Sequence, residues 1–264
     1  ATASAPAAAL FAIMSKVGIY AILRVHGLVF GPEAGEVASM HTPWLLPVGL
    51  LTIVVATIGV LASRELRQLL AYLVVLSAGT LVAALGLGSE AATSAALYYV
   101  LNSTLVAGGL FLLADLIARE RGDAKALLDK VQAVGRPALL GTLFFVGAVG
   151  VAGLPPLAGF AGKVYILQSA WSHPAAAWVF SVVLGCGLLV IVALSRAGSA
   201  LFWRAGQAAS TGVQTTRLQA IATTLLLIGT AALMVSGGAA THYTRATASQ
   251  LSERSIYVNA VISN

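Results

Sequence analysis

The sequence predicts an all-α fold, a polytopic bundle of transmembrane helices, and three observations support this prediction. Hydrophobic residues make up 59% of the 264 residues and charged residues only 9%, with a mean hydropathy of +0.92. A soluble domain carries roughly 25% charged residues, so this chain lacks the polar surface of a water-soluble protein. The apolar residues form long runs, and a run of about 20 crosses a bilayer as a helix. No run alternates with the period of two that a membrane β-barrel needs.

Eight apolar segments follow one another along a single membrane domain, residues 1–264. Glycine, proline and charged clusters separate them, and they run approximately over 3–30, 44–62, 69–88, 92–118, 138–153, 157–171, 176–204 and 218–238. Residues 239–264 are more polar, and we expect a tail at the surface. The chain begins at alanine, without the features of a signal peptide, so we expect it to be part of a longer protein.

A helix break is predicted at Pro155 and Pro156, where two short apolar segments meet. Proline removes a backbone donor and clashes with the preceding turn, and the residue before a proline is disfavoured in helical geometry. The pattern fits either a tight hairpin between two helices or a single broken helix.

The loop 119–136 is the most basic part of the chain, with Arg119, Arg121, Lys125, Lys130 and Arg136. The positive-inside rule places such a loop in the cytoplasm, which favours the single broken helix. Because the loop also contains Leu127, Leu128 and Val131, it is either a short interfacial helix or a solvated connector.

Several function classes are excluded by composition. The net charge of +6 does not indicate nucleic-acid binding, because the basic residues mostly lie between apolar runs and form no stripe with aromatic residues. The single Cys186 and the scattered histidines have no metal-ligand spacing. Phosphate-binding, dinucleotide-binding and nucleophile motifs are missing, so we expect no cofactor and no enzymatic catalysis.

Lys16 and Lys163 are the two of four lysines that lie inside apolar segments. An ammonium in the middle of a membrane helix costs about 2.5–3.5 kcal/mol and usually faces a wet cavity, a partner or an ion path. Snorkelling is the alternative, but Lys16 lies about 12 Å along the helix from Arg24. Lysine can release its proton, whereas arginine stays protonated. We therefore predict that both lysines take part in proton transfer.

Other polar residues have weaker signals. Asn102 lies in the middle of a segment, where helix–helix hydrogen bonding and ion coordination are both possible. Asp115 has Arg119 one turn further on, which predicts a surface ion pair. Arg67 belongs to a charged cluster that is typical either of an ordinary basic loop or of a functional site.

The chain resembles the C-terminal half of a large antiporter-like membrane subunit, the group shared by multisubunit cation/proton antiporters and the proton-pumping arm of respiratory complex I. Four stretches carry the resemblance: 15–24, 64–72, 97–115 and 153–163. The runs 77–80 and 243–258 are most similar to the D-type subunit of the Mrp-type antiporters.

This resemblance implies half of an inverted-repeat fold with broken helices, the N-terminal half being absent. It implies that Lys16 and Lys163 correspond to lysines on two broken helices of the family's proton path. Arg67 stands where the family commonly has a lysine that links two half-channels, and Asn102 where many relatives have a histidine. Val106 stands where complex I relatives often carry a lysine. The acidic partner of the first lysine would lie upstream of Ala1.

The function expected from these observations is a subunit of a Na⁺(K⁺)/H⁺ antiporter in a bacterial inner membrane. Its partners would be other membrane subunits of the complex, the lipid bilayer, H⁺ and Na⁺ or K⁺, with no nucleic acid. Two alternatives stay open. One is a proton-translocating subunit of a redox pump of the complex I or membrane-bound hydrogenase type, and the other is a scaffold subunit that moves no ions.

Overall fold

The structure is a computed structural model that describes residues 5–30, 42–130, 132–203 and 217–252. Within these ranges it contains no β-strand and nine α-helices: α1 (Ala5–Val29), α2 (Thr42–Ala62), α3 (Leu66–Gly86), α4 (Glu90–Glu120), α5 (Pro137–Ala152), α6 (Ala158–Ala170), α7 (Ala176–Gly198), α8 (Arg217–Val235) and α9 (Gly237–Ser252). A π-helical turn, Ser199–Trp203, extends α7. In the described part, α2, α3, α4, α7 and α8 are long and apolar enough to cross a membrane. The predicted all-α transmembrane bundle is confirmed.

Helix α4 is the centre of the bundle, where it contacts α1, α3, α5, α6, α8 and α9. It starts after Ser89, whose hydroxyl accepts a hydrogen bond from the Ala92 amide at 3.1 Å, a favourable N-cap. At its other end it runs into the basic loop. Most of its side chains are buried or partly buried against these neighbours, and one helix connects the two membrane surfaces.

The helix break at the two prolines is a single broken crossing. Helix α5 starts on the same side as the end of α4, because the Arg136 guanidinium binds the Glu120 carboxylate at 2.8 Å. Helix α7 ends on that side too, because Arg196 donates to the carbonyl of Leu61 at the end of α2. The segment after α2 in turn contacts the basic loop, where the Leu128 amide donates to the carbonyl of Arg64 at 2.9 Å. Helices α5 and α6 together must then cross the membrane once, and α7 crosses back to the side of the basic loop. The prediction of a broken helix is confirmed, and the hairpin is excluded.

The broken helix that the resemblance implies at Lys16 is not present in the described part of the structure. Helix α1 runs without interruption from Ala5 to Val29 and passes straight through Lys16. The reason is local: Pro6 lies in the first turn of α1, where proline is tolerated, and the isolated Gly18 costs a helix only about 1 kcal/mol. Lys16 therefore lies on a continuous helix.

The polar C-terminal segment is helical as far as it is described. Helix α9 packs against α4, and its Thr244 and Ala248 are buried. Residues 239–252 of the predicted polar segment are therefore helical, and all but two of their side chains are at least partly exposed. Residues 253–264 lie outside the described residues.

The basic loop folds around one buried side chain. Arg121 is fully buried and donates hydrogen bonds to four backbone carbonyls, those of Lys125, Leu127, Lys130 and Gln132. Burial lowers the pKa of Arg121, and the nearby Asp129 carboxylate opposes this shift. Among the described residues the loop contains a short 3-10 helix, Gly122–Ala124, and Lys125, Asp129 and Lys130 are exposed. Val131, one of the three apolar residues noted in this loop, lies outside the described residues.

Candidate functional site

Lys16 is held inside the bundle by a hydroxyl. Its side chain is 4% exposed, and its Nζ donates to the Ser77 Oγ on α3 at 3.0 Å. Ser77 in turn donates to the carbonyl of Val74 at 2.8 Å. The amine therefore does not reach the headgroups, and snorkelling does not explain Lys16.

Lys163 lies in the second turn of α6, and the helix break supplies its acceptors. Its Nζ donates to the carbonyls of Ala152 at 2.7 Å and Val151 at 3.2 Å. These are the last carbonyls of α5, which lack helical partners because the helix stops there. The negative end of the helix dipole also favours an ammonium. The break and the lysine therefore form one local structure.

Gly153 makes this approach possible. Its φ is +75°, and a Cβ at this position would lie 2.6 Å from the Cδ of Lys163. Any other residue would be strained in this backbone conformation and would displace the lysine stem.

Asn102, on α4, is buried with one group unpaired. It is 2% exposed, and its amide nitrogen donates to the carbonyl of Gly150 at 3.5 Å. Its Oδ1 is buried without a hydrogen-bond partner. Because such an atom costs about 1–3 kcal/mol, it calls for an explanation such as a bound water.

A cavity of about 30 Å³ provides room for that water. A volume of about 10–15 Å³ is enough for one water molecule, so this cavity has room for about two. Ser77, Asn102 and Val151 all line it. The partner of Lys16, the unpaired amide and a partner of Lys163 therefore line one small cavity, whose other lining residues are mostly apolar.

Arg67 does not join this cluster. It lies in the first turn of α3, where it binds Asp115 at 2.9 Å, and Ser77 is about 15 Å further along the helix. Asp115 also accepts a bond from Arg119 at 2.7 Å. The predicted pair between Asp115 and Arg119 is confirmed, and Arg67 is an additional partner.

Some of these contacts have little signal in the sequence. Ser77 is 61 residues from Lys16, and its one visible feature is a hydroxyl in an apolar run. The carbonyls that bind Lys163 carry no side-chain signature at all, although the proline pair marks where such carbonyls become free. In the described part of the chain, neither lysine forms an ion pair with a carboxylate.

The family follows from a match over most of the chain. The model of the NADH:quinone oxidoreductase/Mrp antiporter transmembrane family matches residues 1–192. The chain belongs to this family. It is therefore a multi-pass membrane protein, and its bacterial relatives place it in the inner membrane, as the sequence resemblance predicts.

Two bacterial relatives show how far the similarity extends. The chain is 35% identical to the D-type subunit of a probable K⁺/H⁺ antiporter of Rhizobium meliloti, over 95% of this chain and 51% of that protein. It is 31% identical to the D-type subunit of a Na⁺/H⁺ antiporter of Bacillus subtilis, over 73% of this chain and 38% of that protein. The chain thus spans about half the length of these relatives or less.

The fold recurs in a solved respiratory complex. The structure of an archaeal membrane-bound sulfane sulfur reductase contains a chain that matches with a TM-score of 0.85 at 22% identity. The match covers 97% of this chain and 51% of that one. At this level of identity the likeness concerns the fold alone.

Proposed function

We propose that this chain is the C-terminal half of the D-type subunit of a multisubunit antiporter, which exchanges Na⁺ or K⁺ for H⁺. Lys16, Asn102 and Lys163 carry part of the proton path. The single observation that carries the proposal is the cavity lined by Ser77, Asn102 and Val151, which touches the partners of both lysines. The names of the relatives support the exchange of these ions.

The proton moves between the lysines through water. The Lys16 ammonium gives a proton to a water in the cavity, and this water chain gives one to the neutral amine of Lys163. One positive charge leaves Lys16 and one appears at Lys163, so the charges balance. Asn102 does not titrate, and its unpaired Oδ1 instead holds a water in place. The carbonyls of Val151 and Ala152 stabilise the ammonium that forms.

Arg67 has a different role, at the basic end of the cavity. The cavity also touches Leu70 on α3 and Phe111 on α4, which lie about one helical turn from Arg67 and Asp115. The ion pair therefore closes the seam between α3 and α4 at its basic end. In this proposal Arg67 acts as a gate at the cytoplasmic surface and does not itself relay protons.

The redox pump alternative is less well supported. A respiratory complex shares the fold, but the relatives above 30% identity are named antiporter subunits. The apolar Val106 lines the cavity at the position where the complex I relatives often carry a lysine. The chain spans about half the length of its relatives or less. The proposed antiporter therefore also includes other membrane subunits that form the complex with this one.

The test uses the full-length subunit in its complex, in inverted membrane vesicles. Lys16→Ala and Lys163→Ala should each abolish Na⁺- and K⁺-induced dequenching of a pH-gradient dye while the complex still assembles. Lys130→Ala, an exposed lysine of the basic loop, is the matched control and should leave transport unchanged. If transport survives both buried substitutions, the scaffold alternative is correct.

A further inference from the structure

A second, larger cavity of about 470 Å³ lies at the end of the bundle away from the basic loop. Its walls are the start of α4, the second half of α6 and the middle of α9. Because α4 ends in the basic loop and rises about 1.5 Å per residue, its first turns lie on the opposite side of the membrane. We call this cavity the vestibule.

Oxygen atoms dominate the polar lining of the vestibule. It contains the carboxylate of Glu90, the hydroxyls of Ser94, Ser169 and Thr244, the amide of Gln168 and one cation, Arg245. The Ser94 and Thr244 hydroxyls lie 3.1 Å apart, and both residues are buried. In the described part of the chain, Glu90 has no ion-pair partner.

Such a lining suits a monovalent cation. Oxygen ligands replace part of the hydration shell of Na⁺ and K⁺, whereas Ca²⁺ sites combine several carboxylates with other oxygens. The vestibule offers one carboxylate and several neutral oxygens, together with the Arg245 guanidinium. Its volume is many times the roughly 10–15 Å³ that one water molecule needs, so an ion inside it keeps much of its water.

The vestibule is separate from the lysine path. Its floor is formed by Tyr98 and Tyr165, whose rings pack edge to face with centroids 5.3 Å apart. Tyr165 follows Lys163 by two positions, so the two side chains are about 200° apart around the helix. Tyr165 lines the vestibule, whereas Lys163 binds a carbonyl of α5. Helix α6 therefore stands between the vestibule and the Lys163 amine.

We propose that the vestibule is a binding site for a partly hydrated Na⁺ or K⁺, on the side of the membrane opposite the basic loop. Glu90 attracts the ion, and the Ser94 and Thr244 hydroxyls and the Gln168 amide bind it. Arg245 at the same site weakens the binding. This proposal rests on the proposed antiport and assigns the cation a place of its own, apart from the proton path.

The first test varies the cation concentration on the vestibule side. Inverted vesicles carrying the full-length subunit in its complex are loaded with increasing Na⁺ or K⁺, and cation-driven proton movement is followed with a pH-gradient dye. Glu90→Gln should raise the half-saturating cation concentration about threefold or more, the effect of losing one partly exposed charge, and Arg245→Gln should lower it. Asp129→Asn, an exposed carboxylate of the basic loop, is the control and should change nothing.

An uncharged variant separates binding from a surface-charge effect. Ser94→Ala combined with Thr244→Val removes both members of one hydrogen bond and leaves the net charge unchanged. It should also raise the half-saturating cation concentration. If the half-saturating cation concentration is unchanged both in this variant and in Glu90→Gln, the vestibule proposal is overturned and the antiport proposal stays intact.

A second test needs no transport. Ser169→Cys is introduced into a cysteine-free subunit, and a membrane-impermeant methanethiosulfonate reagent is applied from the vestibule side. Na⁺ or K⁺ should slow the modification relative to N-methylglucamine at equal ionic strength. Equal rates in all three salts contradict the cation site. If Na⁺ or K⁺ slows the modification but the complex shows no cation-driven proton movement, the cation site is retained and the proposed exchange is refuted.

Discussion

The Lys163 ammonium donates to the carbonyl of Ala152 at 2.7 Å, and Ala152 is the last residue of α5. A charged residue in an apolar segment and a broken helix are usually treated as two separate features. Here the break frees the carbonyls that solvate the charge. The lysine can therefore lie in the middle of the bundle without a carboxylate among the described residues.

Gly153→Ala tests this local structure. The residue has a φ of +75°, and a Cβ would lie 2.6 Å from the Lys163 Cδ, so we expect a loss of roughly 1–3 kcal/mol from backbone strain alone. Thermal unfolding of the detergent-solubilised complex and dye dequenching in vesicles should both decline. Gly185→Ala on α7, where a Cβ meets nothing within 4 Å, should leave both unchanged. Equal behaviour of the two variants would contradict the role of Gly153.

Lys163→Arg distinguishes a relay from a fixed charge. Arginine keeps the positive charge and can bind the same carbonyls, but it stays protonated. We expect normal assembly with antiport reduced at least about tenfold. Lys130→Arg in the basic loop should have no effect. Full activity of Lys163→Arg would mean that the site needs a charge and no proton transfer.

Ser77→Ala removes the partner of Lys16. A buried ammonium that loses its acceptor costs about 1–3 kcal/mol or more, so we expect lower thermal stability of the complex and slower antiport. Ser77→Thr keeps the hydroxyl and should restore most of both. Ser63→Ala is the control, because the Ser63 hydroxyl binds a carbonyl of its own helix, that of Gly59 at 2.7 Å. A Ser77→Ala complex as stable and active as this control would argue against the contact.

Asp115→Asn tests the proposed gate at the basic end of the seam. The substitution removes a charge that binds both Arg67 and Arg119, and water should then enter between α3 and α4. A cysteine at Leu70, which lines the cavity, should react faster with a water-soluble maleimide. Arg119→Gln, which removes the more exposed pair alone, should have little effect. Identical labelling rates in Asp115→Asn and the wild type would refute the gate.

The parts of the fold that could be predicted from the sequence are those that depend on local chemistry. Long apolar runs fix the helices, and Pro155 and Pro156 fix the break between α5 and α6. The two lysines stand out because charge is costly in an apolar segment. The resemblance alone implied a broken helix at Lys16, and the residues around Lys16 form a continuous helix.

Contacts between distant segments could not be predicted. Ser77 reaches Lys16 across 61 residues, and one hydroxyl among many gives no sign of its partner. The carbonyls around Arg121 are backbone atoms that every residue has. The basic loop, expected to be a helix or a connector, folds around that side chain. Such contacts depend on how the helices pack, which no short pattern encodes.

Asn102→Leu is the most direct test of the water link between the lysines. Leucine has the same number and branching of side-chain heavy atoms, and it replaces an amide whose buried oxygen is unpaired with an apolar group. We predict that the complex is as stable as the wild type or more so, because the unsatisfied oxygen is gone, while antiport measured by dye dequenching falls at least about tenfold. Asn102→His, which introduces the residue that the family resemblance implies at this position, should retain transport. Unchanged antiport in Asn102→Leu would contradict a proton path through this cavity.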